Sequence, residues 1–165
     1  MASNQIILSI ELRQIGFRYQ GQEGWVLENY NRIFTTGKIN YLRGKNGTGK
    51  STILYLVLGM LVPQAGQVII TTSQGEQYDL LSEVNLRCWR ENNVAYCSHD
   101  NLIAQGSTGQ KQLANINNLF QQKKTATVWL FDEAANALDK DNHEKVVAQL
   151  EELVKQGKIV IYIKH

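Results

Sequence analysis

Eight residues, Gly44-Lys45-Asn46-Gly47-Thr48-Gly49-Lys50-Ser51, stand between a short apolar run, Ile39 to Leu42, and a longer one, Thr52 to Val62. Three glycines at this spacing let the backbone curl until its N–H groups turn inward around phosphate oxygens, with Lys50 placed to reach the terminal phosphates and Ser51 to ligate Mg²⁺. A helix opening at Gly49 or Lys50 points its positive N-terminal end at the same anion. Gly44, Asn46, Gly47, Thr48, Gly49, Lys50, Ser51 and the adjoining Thr52 are the candidate phosphate-binding residues. Further along, Asp132 and Glu133 close the apolar run Val128-Trp129-Leu130-Phe131. An acid directly after a buried strand, beside a phosphate loop, is placed to hold Mg²⁺, and a second acid to polarise an attacking water. Taken alone, the same pair reads equally as a strand ending in solvated carboxylates.

The elements that position these groups follow from periodicity. Alternation over Ile6 to Ile15, continued by Phe17 and Tyr19, predicts a half-buried strand with Ile6, Leu8, Ile10 and Leu12 on its inner face. A loop at Gly21 to Gly24 leads to a second strand, Val26 to Phe34, and a turn at Gly37-Lys38 to the strand Ile39 to Leu42. The helix after the loop is expected to be buried on most sides and to end at Pro63 and Gly66. Short runs at Val68 to Thr71 and Gln77 to Leu80 suit an antiparallel side sheet, Leu81 to Glu91 a short helix, and Val94 to Cys97 a buried strand. Helices are predicted over Gly109 to Phe120 and His143 to Val154, the latter capped by Gly157, with strands at Thr127 to Phe131 and Ile159 to Ile163. Strands alternating with helices imply an α/β fold, a mostly parallel sheet covered on both faces, whose C-terminal edge gathers the phosphate loop, His99, Asp132 and His165.

Composition narrows the class. A chain of 165 residues with 43% hydrophobic and 19% charged residues suits one compact domain over 1–165. A net charge of +2 gives no reason to expect nucleic acid as a partner. Cys88 and Cys97 lack metal-ligand spacing and read as buried thiols in a reducing compartment, and the N-terminal residues lack the pattern of a signal peptide. The expectation is a cytoplasmic protein.

In order along the chain, the motifs resemble those of the ATP-binding-cassette ATPases. Phe17-Arg18-Tyr19 looks like the segment whose aromatic ring stacks on adenine, although a strand aromatic is also a common core residue. Ser107-Thr108-Gly109-Gln110-Lys111-Gln112 looks like the family signature, and would otherwise be a helix cap. Asp132 to Asp139 matches the acidic pair and the loop behind it, with Asp139 across a dimer contact or at a helix N-cap; His165 matches the switch histidine. The resemblance implies a P-loop NTPase fold with a three-layer α/β/α core and an N-terminal antiparallel β-subdomain. It implies ATP and Mg²⁺ as cofactors and Glu133 and His165 as catalytic residues. Ser107, Gly109 and Gln110 would hold the phosphate of a partner's ATP, and Ser51, Asp132 and His99 would lie at the metal. It also implies an ATP-dependent homodimer or pairing with a second head, with a transmembrane permease as further partner and a place at the inner face of a membrane.

Three departures accompany the resemblance. His99 occupies the position where the family usually has glutamine, and a protonated imidazole there would repel the metal. Only seven residues, Asp100 to Gly106, separate His99 from Ser107, a stretch of at most about 25 Å where the family places a helical subdomain. The sequence given ends at His165, where the family continues, and a carboxylate beside that histidine would hold its pKa up. All three departures bear on turnover and on coupling to transport, and none on binding. The alternatives left open are a nucleotide-binding module without turnover and a recombination-repair type of ATPase.

Overall fold

The computed structural model describes residues 5–44, 47–98, 108–132 and 140–164. Asn46, His99, Ser107, Glu133, Asp139 and His165 lie outside the described residues. Two four-stranded sheets form the framework.

The first sheet is antiparallel, in the order β2 (Leu27–Thr35), β1 (Ile7–Phe17), β4 (Ala65–Thr72), β5 (Gln77–Asp79). The side strands expected around Val68 and Gln77 therefore join the N-terminal strands in one sheet. Strand β1 does not keep the alternation its sequence suggests. A register irregularity between Ile7 and Ser9 turns Ile7 inward and leaves Ile6 and Leu8 exposed, and another after Arg13 brings Ile15 inward in place of Gln14. Ile10 and Leu12 are fully buried, as the pattern predicts.

The second sheet is parallel throughout, in the order β3 (Ile39–Arg43), β8 (Ile159–Lys164), β7 (Val128–Asp132), β6 (Val94–Ser98). Its strands are apolar on both faces, and successive residues feed different cores. Val128, Leu130, Ile159, Ile161 and Ile163 face helix α1 (Lys50–Leu58) and the antiparallel sheet. Trp129, Phe131, Val160 and Tyr162 face helices α4 (Thr108–Gln122) and α5 (Lys140–Lys155) through Ile116, Val146, Leu150 and Leu153. These are the three layers expected.

Helix α1 is shorter than its apolar run. Gly59 adopts φ 73°, and the paired bonds from its N–H to Leu56 O and from Met60 N–H to Tyr55 O close the helix, leaving Met60 and Val62 exposed. Its last carbonyls are met from the segment that was expected to form one short helix. That segment is two single turns, α2 (Leu80–Glu83) and α3 (Leu86–Cys88), and a π-helical turn, Trp89–Asn93. Trp89 Nε1 donates to Val57 O at 2.9 Å, and Arg90 donates to Leu58 O and Gly59 O at 3.2 and 3.3 Å. Cys97 is buried as expected, whereas Cys88 is exposed, because its turn lies on the surface.

Candidate functional site

Register brings the candidate residues to one edge. Arg43 is level with Lys164, and Asp132 with both Ile163 and Ser98, so the four parallel strands end together. The phosphate-loop residues follow β3 at this edge, and Asp132 closes β7.

Local geometry in the loop follows from residue type. Gly44, Gly47 and Gly49 have φ of 150°, 85° and 89°, a region that side chains bearing a Cβ rarely enter. Gly49 is also closely approached: a Cβ there would lie 3.1 Å from Leu27 Cδ2 and 3.2 Å from Val26 Cγ1. Immediately after it, Lys50 opens α1, and Ile53 N–H donates to Gly49 O. The N-terminal turn has no acidic residue and no side-chain cap, so its amide dipoles are left to act on an anion.

Lys50 is buried to all but 5% and its ammonium donates to Gly44 O, across the mouth of the loop. Ser51 Oγ lies 3.4 Å from Asp132 Oδ2, although 81 residues separate them. Asp132 is itself buried to all but 8%. A hydroxyl and a carboxylate converging under a phosphate loop are the oxygen donors that a hard cation such as Mg²⁺ takes, with phosphate and water completing its shell. Among the described residues no cluster of three or more His, Cys, Asp or Glu side chains could hold a metal alone.

Tyr19 stands at the end of β1 beside this loop. Its hydroxyl shares a 2.9 Å hydrogen bond with Thr52 Oγ1, and its ring meets Phe17 edge to face at 4.9 Å. It is 37% exposed, so it belongs to the surface of the site and not to the core. A cavity of about 390 Å³ is lined by Tyr19, Gln22, Val26, Gly47, Gly49, Lys50, Ser51 and Thr52. A second, of about 490 Å³, shares Tyr19 and Gln22 with it and is otherwise walled by Arg18, Gln20, Gly21, Glu23 and Gln64.

The structure thus gathers Tyr19, Gly47, Gly49, Lys50, Ser51 and Thr52 around one cavity, with Gly44 and Asp132 in contact with its residues. Gly109 and Gln110 lie in the first turn of α4, and the remaining candidates are outside the described residues. Sequence reasoning missed Gln22 and Val26. The signal for Gln22 was its position in the turn after Tyr19, closed by Gln22 N–H to Tyr19 O at 3.1 Å.

The chain is similar to known proteins over most of its length. The sequence profile of a family described as "ABC transporter" matches residues 27–105. The cytochrome c biogenesis ATP-binding export protein CcmA of Pasteurella multocida is 24% identical, with 96% of this chain and 90% of that protein aligned. The energy-coupling factor transporter ATP-binding protein EcfA1 of Fusobacterium nucleatum is 29% identical over 94% of this chain and 73% of its own length. The ATP-dependent lipid A-core flippase of Pectobacterium atrosepticum is 25% identical, and here the chain spans about a third of the relative, 32%. The CcmA alignment runs over 193 positions, more than the 165 residues of this chain, so that relative carries residues with no counterpart here. Among solved structures, the dimeric post-hydrolysis state of an ATP-binding cassette bound to ADP and Pi superposes with a TM-score of 0.77 at 19% identity, covering 94% of this chain and 88% of that one. That likeness shows the fold.

Proposed function

We infer, from the chain's similarity to ATP-binding-cassette proteins, that it belongs to that ATPase family, binds Mg·ATP beneath residues 44–51 and hydrolyses it as the energising head of a membrane transporter. The observation that carries this reading is the approach of Ser51 Oγ to Asp132 Oδ2 at 3.4 Å beside a buried Lys50. A loop hydroxyl and a strand-end acid meeting there are what a phosphoryl-transfer site needs for its metal.

In this reading Tyr19 carries the adenine on its π face. The amides of the 44–51 loop surround the β- and γ-phosphates, and Lys50 exchanges its bond to Gly44 O for phosphate oxygens. Ser51 and Asp132 would hold Mg²⁺, which would supply charge neutralisation, with His99 a further candidate for that metal. Glu133 accepts the proton of the attacking water, and His165 hydrogen-bonds the terminal phosphate. Ser107, Gly109 and Gln110 contact the ATP of a second head, so the working unit is a pair. In this reading residues 1–165 are a single, truncated head of that kind, with seven residues between His99 and Ser107 where the family places its helical subdomain. Support for the transporter role comes from relatives named as export and transporter ATP-binding proteins. No helix among the described residues is long and apolar enough to cross a membrane.

The test compares Mg·ATP binding and phosphate release for the natural chain, Lys50→Ala and Glu133→Gln. Lys50→Ala is expected to weaken binding at least about tenfold, and Glu133→Gln to slow release by about a hundredfold or more. Binding by Lys50→Ala as tight as by the natural chain overturns the reading. A second reading, a nucleotide-binding module without turnover, is favoured by the residues that CcmA carries and this chain lacks. It prevails if the natural chain binds Mg·ATP yet releases phosphate no faster than Glu133→Gln.

A further inference from the structure

We propose that Thr52 is the positioning residue of the base platform: its hydroxyl latches the ring of Tyr19 at a fixed distance from the phosphate loop. This rests on the assignment of Tyr19 as the residue that carries the base.

Tyr19 ends the first strand region and Thr52 sits in the first turn of α1, 33 residues later, where Lys50 and Ser51 precede it directly. A shared hydrogen bond of 2.9 Å therefore ties the aromatic ring to the same helical turn that carries the phosphate-binding side chains. Thr52 is buried to all but 4%, so little room is left for its side chain to take another rotamer. Phe17 supplies the second anchor, meeting the ring edge to face at 4.9 Å with an interplanar angle of 87°. A tyrosine at a 37% exposed position would otherwise lose rotamer freedom on stacking against a ligand. Held at the hydroxyl and at the ring edge, it has lost that freedom before the nucleotide arrives.

The partition between the cavities gives the latch its consequence. Tyr19 and Gln22 wall both the cavity of about 390 Å³ at the loop and its neighbour of about 490 Å³. The ring thus sets where the phosphate compartment stops and where a base can lie. Fixing it against Thr52 fixes the separation between base and phosphate subsites, which selects for a nucleoside triphosphate over a bare polyphosphate of the same charge.

The test measures the dissociation constants of ATP and of inorganic tripolyphosphate, both with Mg²⁺, for the natural chain, Tyr19→Phe, Thr52→Val, the double variant, Thr52→Ser and Tyr19→Ala. Circular dichroism and melting establish that each variant folds. The preference for ATP over tripolyphosphate is expected to fall about three- to tenfold in Tyr19→Phe and in Thr52→Val, and no further in the double variant, as for two ends of one bond. Thr52→Ser restores the preference. The latch is overturned if the two losses multiply in the double variant, or if Thr52→Val weakens tripolyphosphate as much as ATP, which would place its hydroxyl on phosphate. It is equally overturned if Tyr19→Phe keeps the full preference while Tyr19→Ala loses it. A preference that survives Tyr19→Ala unchanged marks a different failure, that of the base assignment itself.

Discussion

Gly49 shows how a single residue type settles the site. Its φ of 89° and the 3.1 Å approach of Leu27 to a hypothetical Cβ mean that any side chain is strained and crowded there. Gly49→Ala is expected to cost about 1–3 kcal/mol of stability and to weaken Mg·ATP binding by at least about tenfold, measured by urea denaturation and by titration calorimetry. The two cysteines differ for an equally local reason. Burial in the second core pushes the Cys97 thiol up to about 11, while Cys88 is exposed. A maleimide is expected to label Cys88 in the native protein and Cys97 only on unfolding, followed by mass spectrometry. The raised pKa also has a sign in stability. Between about 9 and 11 the unfolded chain loses this proton and the folded chain keeps it, so stability falls as pH rises through that window. Cys97→Ala is expected to remove up to about 2–3 kcal/mol of that fall. Lys50, Ser51 and Asp132 were legible because their types and offsets are dictated by phosphate and Mg²⁺. The bond from Thr52 to Tyr19 was not, since no spacing rule connects a strand end to a helix turn 33 residues away.

At the scale of elements, sequence reading succeeded where burial is two-sided and failed where the backbone departs from a regular period. Strands β7 and β8 are apolar at every inner position and could be bounded within a residue or two. In β1 the two irregularities reverse which residues face the core, and alternation carries no sign of where a bulge falls. The end of α1 was misplaced because Pro63 and Gly66 are louder signals than Gly59, which makes the actual cap. The π-helical turn Trp89–Asn93 has no sequence period of its own, yet it satisfies the carbonyls of Val57, Leu58 and Gly59. Arg90→Ala is expected to destabilise the protein by about 1–3 kcal/mol, a fall in Tm of about 2–4 °C for each kcal/mol in a chain of this size. Scanning calorimetry checks it, and Arg90→Lys is expected to recover part of the loss.

For the whole molecule, strands alternating with helices pointed to the layers, which are observed, and to one edge, where the described candidates, the phosphate loop and Asp132, lie together. What the alternation could not supply was the lateral order, which places the phosphate-loop strand beside the last strand of the chain. Pairing of two heads belongs to this scale as well. The proposed reading, in which Ser107 and Gly109 contact the ATP of a second head, requires such a pair. With Mg·ATP, Glu133→Gln is expected to double its mass in light scattering, and to remain a monomer with ADP; a monomer under both conditions counts against the pairing. The strand order has one more consequence. Strand β8 lies between β3 and β7, and Asn40 Nδ2 donates to Val160 O, 120 residues further on. During synthesis at roughly 5–20 residues per second, the partner of β3 emerges on the order of ten seconds after β3 itself. Throughout that interval β3 has no partner in its sheet, and in its last part β7 too carries an edge that β8 has yet to cover, which makes synthesis on the ribosome the moment at which aggregation or a chaperone has its best opportunity.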